Sequence, residues 1–410
     1  MFLYTLKEQL NGFVGMSDIC YIAAAGAGKT TYIIHDVECR FAKNDSEKLI
    51  CVVTYTTHNQ QKTIERLQKR FGNRLPSKIM VIGWYKFLLD FIIKPYKGDI
   101  IEDLYEQHVG FQFVEHDRGL ICHASSYSRR KFSLKDKFLL GNNIDSQHVS
   151  EFAWLCIKKN KRNIVKRFGA IFEAIYFDEA QDFVGYDYDV ISTIIKSSVD
   201  CMIMADPRQH TYSSNNGARY KKYAGKPDLF FDDKLNAFKK HLISIDYSTL
   251  NVSHRCSRII CDFASKLYND YPATEPCLCP DCKKREEEVS CEKGIFLLLE
   301  KDLENFIKRN DPLELHWKNS SDVTNSLCKR VMNMGESKGD EDNVVLIYPT
   351  NTFIDWISLH KPLHMKSKAI FYVAITRARY CVAIVLKERL KKNYFNLPYW
   401  GEKYKQLSLF

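Results

Sequence analysis

The stretch DICYIAAAGAGKTTYIIHDVECRF (18–41) decides the architecture. It opens on a short apolar run, which predicts a buried strand, and TYIIHDVECRF (31–41) can continue as a helix. Between them, AAAGAGKT (23–30) fits the phosphate-loop pattern G-x-x-x-x-G-K-[ST], with Ala23 in place of the first glycine. Gly26 and Gly28, set among Ala25 and Ala27, let backbone N–H groups wrap around phosphate oxygens. The start of the helix adds partial positive charge. Lys29 is placed to reach the β- and γ-phosphates, and Thr30, followed by Thr31, to offer a hydroxyl to Mg²⁺. The alternative, a small-residue turn with a chance lysine, does not explain the strand before it and the helix after it. The expectation is a nucleoside triphosphate site.

Outward from this loop the same habit recurs. KLICVVTYT (48–56), EAIYFDEA (173–180), DCMIMADP (200–207) and ISIDYSTL (243–250) are apolar runs ending in polar turns. GIFLLLE (294–300), NVVLIYP (343–349) and CVAIVL (381–386) repeat the pattern further on, with helical patterns between. Strands alternating with helices predict parallel sheets covered on both faces, hence an α/β class with two sheets. Two intervals break the rhythm and read as insertions. Residues 93–165 lack strand punctuation and carry the basic runs SRRK (128–131) and KKNKR (158–162). Residues 272–292 hold four cysteines and the charge run KKREEE (283–288).

The chain has 410 residues, 45% hydrophobic and 27% charged, which excludes wholesale disorder and leaves apolar material for more than one core. A net charge of +10 favours a polyanionic partner such as nucleic acid. No apolar stretch is long enough to span a membrane, and MFLYTLKEQL lacks the layout of a secretory signal, so a cytoplasmic protein with mostly reduced thiols is expected.

IYFDEAQDF (175–183) sets two acids at the end of a buried strand. Asp178 is suited to hold Mg²⁺ together with Thr30, and Glu179 to polarise an attacking water. A lone acidic pair is more often a strand-end turn; coupled to a phosphate loop, it reads as catalytic.

AAAGAGKT, DEAQD (178–182), ADPRQHTY (205–212), HRCSRII (254–260), GESKGDED (335–342) and YVAITRAR (372–379) resemble, in order, the motifs of superfamily 1 helicases of the UvrD/Rep/PcrA type. The resemblance spans roughly residues 20–385. It implies two RecA-like domains with ATP in the cleft between them, the first over residues 1–250 and the second over 251–410. Gln209 then matches the γ-phosphate-sensing glutamine, and Arg255 and Arg377 match two arginines reaching the γ-phosphate from the second domain. Glu341 aligns with a ribose-contacting glutamate, though an acid in the run DED also reads as a solvated loop residue. His254 stands where the family has a base-stacking tyrosine. Gln9 lies near the family's adenine-recognising glutamine, and a solvent-facing helical glutamine is an equal reading.

On the nucleic-acid side, VVTYTTHNQ (52–60) resembles the block whose threonines hold a single strand, here Thr54 and Thr56. VIGWYKFLL (81–89) resembles the next, where Trp84 or Tyr85 could stack on bases; Phe87, Leu88, Phe91 and Ile92 recur at helical spacing and read as core. Tyr212 completes this set; the basic residues between Lys158 and Arg167 read by default as a solvated helix face, with tracking of phosphates the alternative. The family's aromatic before R-G-A is absent from YSSNNGA (212–218), and too few residues separate Arg255 from Gly335 for its large regulatory insertion, which puts processive unwinding in doubt but not hydrolysis. The implied activity is an Mg²⁺-dependent ATPase stimulated by single-stranded DNA. The alternative is a non-unwinding switch controlling a partner nuclease, because the compact form also looks similar to helicase-like proteins of bacterial phage-defence (Gabija-like) systems.

PCLCPDCKKREEEVSC (276–291) places Cys277, Cys279, Cys282 and Cys291 at a spacing that allows a structural Zn²⁺ site. Free thiols are the competing reading.

Overall fold

The computed structural model describes residues 18–43, 46–113, 133–211, 219–237, 242–317 and 326–401. Along the chain the strands begin with β1 (Asp18–Ile22), β2 (Leu49–Thr54), β3 (Ile79–Gly83), β4 (Gly110–Gln112), β5 (Leu139–Leu140) and β6 (Asn143–Asp145). They continue with β7 (Phe172–Phe177), β8 (Asp200–Ala205), β9 (Ser244–Asp246), β10 (Val252–Ser253) and β11 (Glu275–Pro276). The last are β12 (Gly294–Leu299), β13 (Leu313–His316), β14 (Arg330–Asn333), β15 (Asp342–Ile347) and β16 (Ala378–Leu386).

Two parallel sheets carry the fold. The first has the order β3-β2-β7-β8-β1-β9 and the second β12-β16-β15-β13-β14. Their central strands are mostly apolar because both faces are covered. In the first sheet Cys20, Ile22, Val53, Phe177 and Ile203 enter one core, while Ile19, Tyr21, Val52, Tyr176 and Met204 enter the other. The second sheet divides in the same way, with Leu297, Val345 and Ile384 on one face and Leu298, Leu346 and Ala383 on the opposite one. This is the expected α/β class, two RecA-like parallel-sheet units. Such sheets place ligands beyond the carboxyl ends of their strands, and the loops after β1, β7 and β8 lie there in the first unit.

The 93–165 interval, expected as a basic insertion, holds helices at 94–100 and 134–138 among its described residues. It contains a small sheet in which β6 pairs in parallel with β4 and antiparallel with β5. Strands of two or three residues are too short to show alternation, which is why no strand signal is visible in this interval. The helix Val149–Ile171 that follows also outruns the interval and leads straight into β7. Its apolar side buries Phe152, Ala153, Cys156, Ile157, Ile164 and Phe168, and Lys158, Lys159, Lys161, Arg162 and Lys166 are exposed. That run is an exposed helix face; SRRK lies outside the described residues.

Candidate active site

The phosphate loop turns at Gly26 (φ +74°) and Gly28 (φ +83°), both in the left-handed region that favours glycine. The two glycines are needed for different reasons. A Cβ at Gly28 would meet only Thr31 Cβ, at an ordinary contact distance of 3.9 Å, so conformation alone demands glycine there. A Cβ at Gly26 would stand 2.6 Å from Arg255 Cβ and 2.8 Å from Ser253 Oγ. The loop is therefore in van der Waals contact with the segment after β10. That segment also bonds to it, with His254 N donating to Gly26 O at 2.9 Å and Ser253 Oγ to Ala25 O at 2.8 Å.

Residues 26–31 line a cleft of about 330 Å³ together with Glu179 and Gln209 from the first sheet's loops. His254, Arg255, Lys338, Glu341 and Arg377 line it from the other side. The volume falls in the range of small-molecule sites. Ala25 does not line it; its side chain is buried in a core of the second sheet.

Behind the loop, Thr30 Oγ1 donates to Asp178 Oδ2 at 3.1 Å, and Asp178 is 2% exposed. Burial and then the Glu179 charge push the Asp178 carboxyl up. Glu179 responds the other way. Burial opposes its ionisation, but Lys29 Nζ at 3.8 Å and Lys338 Nζ at 3.8 Å hold its carboxyl down. It sits at φ +57°, a strained conformation for a residue with a side chain and one that clusters at functional sites.

Arg377 is 1% exposed. Its Nε donates to Val373 O at 3.1 Å and its Nη1 to Ser337 O and Asp340 O at 3.2 and 3.0 Å. Arg255 donates from Nε to Glu341 Oε2 at 2.6 Å, and Arg379 from Nη2 to Glu341 Oε1 at 2.5 Å. Glu341 thus lines the cleft with both oxygens engaged by arginines, so its direct partners are cations. Burial resists ionisation here too, but Arg255 and Arg379 hold the Glu341 carboxyl down at about 2.

Two residues of this site lie outside the roles that the motifs assign. Lys338 spans the cleft, donating to Asp182 Oδ2 at 2.6 Å. It is the lysine of the K-G-x-E segment in GESKGDED, so its signal stands in the same block as Glu341. Arg208, from ADPRQHTY, is 2% exposed and donates to Asp206 Oδ1, Ala23 O and Thr274 Oγ1 at 2.8, 2.8 and 3.2 Å.

Several nucleic-acid expectations are corrected. Thr54 is fully buried and cannot touch a strand with its side chain. Thr56 is exposed, but its Oγ1 accepts from Asn59 N at 3.2 Å and caps the following helix. Trp84 is 1% exposed, donates from Nε1 to Asp187 Oδ1 at 2.7 Å and packs against Phe87 and Phe183; it is core, not a stacking platform. Tyr85 differs. It is half-buried beside Tyr55, Phe111 and Phe113, and Phe113 is 71% exposed. Tyr212 and Gln9 lie outside the described residues. Phe87, Leu88 and Ile92 are buried as the helical spacing predicts, and Phe91 is partly so.

The cysteine cluster is also redrawn. Cys277, Cys279 and Cys282 converge, but their fourth neighbour is His254, and Cys291 packs instead against the core behind β12.

The glycine loop 26–30, the strand-end acids Asp178 and Glu179 and the arginines Arg255 and Arg377 thus line one cleft between two parallel sheets. Residues 8–107 match the family described as the UvrD/REP helicase N-terminal domain. That match agrees with the likeness to UvrD-like superfamily 1 helicases read from the ordered motifs. No curated protein matches it. Among solved structures, the helicase nonstructural protein 10 of an arterivirus is similar at 13% identity and a TM-score of 0.39, covering 90% of this chain and 59% of that one. The same viral helicase in complex with DNA matches at 13% identity and a TM-score of 0.40, over 90% and 61%. The chain therefore spans about three fifths of those proteins, and at such scores the likeness bears on no further point. No described helix is long and apolar enough to cross a membrane.

Proposed function

We propose that this chain is an Mg²⁺-dependent ATPase of the superfamily 1 helicase type, stimulated by single-stranded DNA and coupling hydrolysis to movement along it. The observation that carries the reading is one cleft lined by Lys29 and Glu179 from one sheet and by Arg255 and Arg377 from the other. On this reading residues 1–250 and 251–410 act as the two moving parts.

The donor set suits Mg²⁺. Thr30 Oγ1 and Asp178 Oδ2 are hard oxygen ligands in direct contact, beside a loop built for phosphate. When bound, Mg²⁺ would neutralise charge on the β- and γ-phosphates. Amides of residues 26–30 and Lys29 cradle the phosphates. Glu179, kept ionised by Lys29 and Lys338, accepts the proton of the attacking water. Arg255 and Arg377 stabilise charge on the transferring phosphoryl, and Gln209, bonded to Arg377, links its loss to the second sheet.

Single-stranded DNA is the partner that the aromatic group around Tyr85 supports, with Phe113 exposed for stacking. The nuclease-switch reading gains no support from the residues or the comparisons. Steady-state ATPase, with and without single-stranded DNA, tests the proposal. Hydrolysis raised severalfold by the strand is expected; a rate indifferent to DNA sinks the coupling, and no hydrolysis sinks the whole.

A further inference from the structure

One cluster of metal-ligating side chains takes no part in that reaction. We propose that Cys277, Cys279, Cys282 and His254 bind one Zn²⁺, and that the ion fixes Arg255 against the phosphate loop. Their four ligand atoms all lie within 4.8 Å of one another. Tetrahedral Zn²⁺, with sulfur at about 2.3 Å and nitrogen at about 2.0 Å, sets neighbouring ligands about 3.5–3.8 Å apart. Cys282 Sγ and His254 Nδ1 are 3.9 Å apart. The set therefore needs to contract by only about 1 Å to reach that geometry.

The fold explains why a histidine completes the set. β10 and β11 pair in parallel, Ser253 opposite Pro276, and Cys277 N donates to Ser253 O at 2.8 Å. This pairing brings His254 over the loop from which Cys277, Cys279 and Cys282 project. Cys279 caps the helix Pro280–Glu288, and Cys282 lies in its first turn. Three thiolates around Zn²⁺ leave a net negative charge. Arg285 offsets it, with Nη2 3.5 Å from Cys282 Sγ and a further bond to His254 O. Three sulfurs and one nitrogen fill the tetrahedron and leave no position for water, so the ion is structural.

The ion's consequence for the cleft follows from chain adjacency. His254 N is bonded to Gly26 O, and Arg255 is the next residue, crowded against Gly26. Fixing the imidazole fixes the backbone that carries the arginine. This second half rests on the ATPase reading; the metal site does not.

Zinc content, measured on protein prepared without chelator, tests the site. About one zinc per chain is expected in the wild type and in Cys291→Ser, and well under half of that in His254→Ala and Cys279→Ser. Zinc-free wild type, or loss of zinc in Cys291→Ser with retention in His254→Ala, overturns it. Should His254→Ala fail to fold, Co²⁺ loaded into the wild type replaces it as the test. A thiolate-to-cobalt band of three-sulfur intensity, unchanged in Cys291→Ser, supports the site; four-sulfur intensity overturns it. For the coupling, stripping zinc should lower ATP turnover about tenfold or more with ATP affinity held within about threefold, and Zn²⁺ should restore it. Equal turnover with and without zinc overturns the coupling alone. Zinc-loaded protein that never hydrolyses ATP overturns the ATPase reading and leaves the metal site standing.

Discussion

Arg377 donates from Nη2 to Gln209 Oε1 at 3.3 Å, tying the residue just before β16 of the second sheet to the loop after β8 of the first. Gln209 passes the link on, donating from Nε2 to Asp206 Oδ2 at 2.7 Å. The guanidinium is buried among carbonyl groups, and burial together with Arg255 pushes its pKa down to about 9. Glu179 and Glu341 oppose that fall, and on the proposed reading a γ-phosphate in the cleft would add a further anion.

Arg377→Ala should therefore spare binding and remove turnover. An arginine donated to a phosphoryl transition state is worth about 10³–10⁵ in rate. Nucleotide titration should give an affinity within a few fold of wild type, and steady-state ATPase should drop by about three orders of magnitude or more, with DNA stimulation gone. Normal stimulation by DNA in this variant would mean that the second sheet serves something other than hydrolysis.

Lys29 and Glu179 face each other but do different work. Lys29→Ala should abolish nucleotide binding, because it removes the cation of the phosphate cradle. Glu179→Gln should bind nucleotide at least as well as wild type and turn over at least about 10²-fold more slowly, the usual cost of losing a general base. A glutamine variant that hydrolyses ATP at the wild-type rate would move the base elsewhere.

The aromatic residues give a paired test. Trp84→Phe strips one donor from Asp187, a fully buried carboxylate that also accepts from Val184 N at 3.0 Å and from Ser150 Oγ. It should cost about 1–3 kcal/mol of stability by denaturant titration and leave single-strand affinity within about twofold. Tyr85→Ala with Phe113→Ala should do the reverse, weakening single-strand binding by about 1–3 kcal/mol for each base that no longer stacks. If Trp84→Phe alone impairs binding, the stacking surface lies elsewhere.

How much of this was legible in the sequence follows from how far apart the cooperating residues lie. The phosphate-loop motif and DEAQD are contiguous, and each follows a mostly apolar run, so the fold class and the placing of the two acids at a strand end could be read directly. β13 and β14 could not, since each has only four residues and LELH mixes Glu314 and His316 with its leucines. Trp84 misleads because an aromatic at a block edge looks the same whether it faces bases or Phe183. His254 as a neighbour of the cysteines needs the β10–β11 pairing, a contact between segments that no spacing rule connects. Lys338 is in plain view within its block, but its partners Asp182 and Glu179 belong to the other sheet.

Asp18, at the start of β1, offers a pH test. Its Oδ1 accepts from Cys201 N at 3.0 Å, yet burial, with Asp200 adding to it, pushes its carboxyl up to about 7. In the pH window between the unfolded carboxylate value and about 7 the folded chain holds a proton that the unfolded chain has lost, so this group's contribution to stability falls as pH rises through that window. Asp18→Asn keeps the acceptor and removes the charge. Its stability gain over wild type should grow from about pH 4 to about pH 7 and then level off, at about 1–2 kcal/mol after allowance for partial exposure. A gain independent of pH would show that Asp18 titrates normally.

The seating of the Ala25 methyl in the core of the second sheet bears on how the machine would open. Beyond that methyl, the parts are joined by Ser253 Oγ to Ala25 O, His254 N to Gly26 O, Arg208 to Thr274, Lys338 to Asp182 and Arg377 to Gln209, and Arg208 lies over the Tyr271 and Tyr372 rings. Uncovering one methyl costs about 0.8 kcal/mol, and each hydrogen bond exchanged for water about 1 kcal/mol. With this many contacts across it, the chain cannot be cut in two cleanly. A fragment ending near residue 250 would carry its phosphate loop without the neighbour against which that loop is shaped.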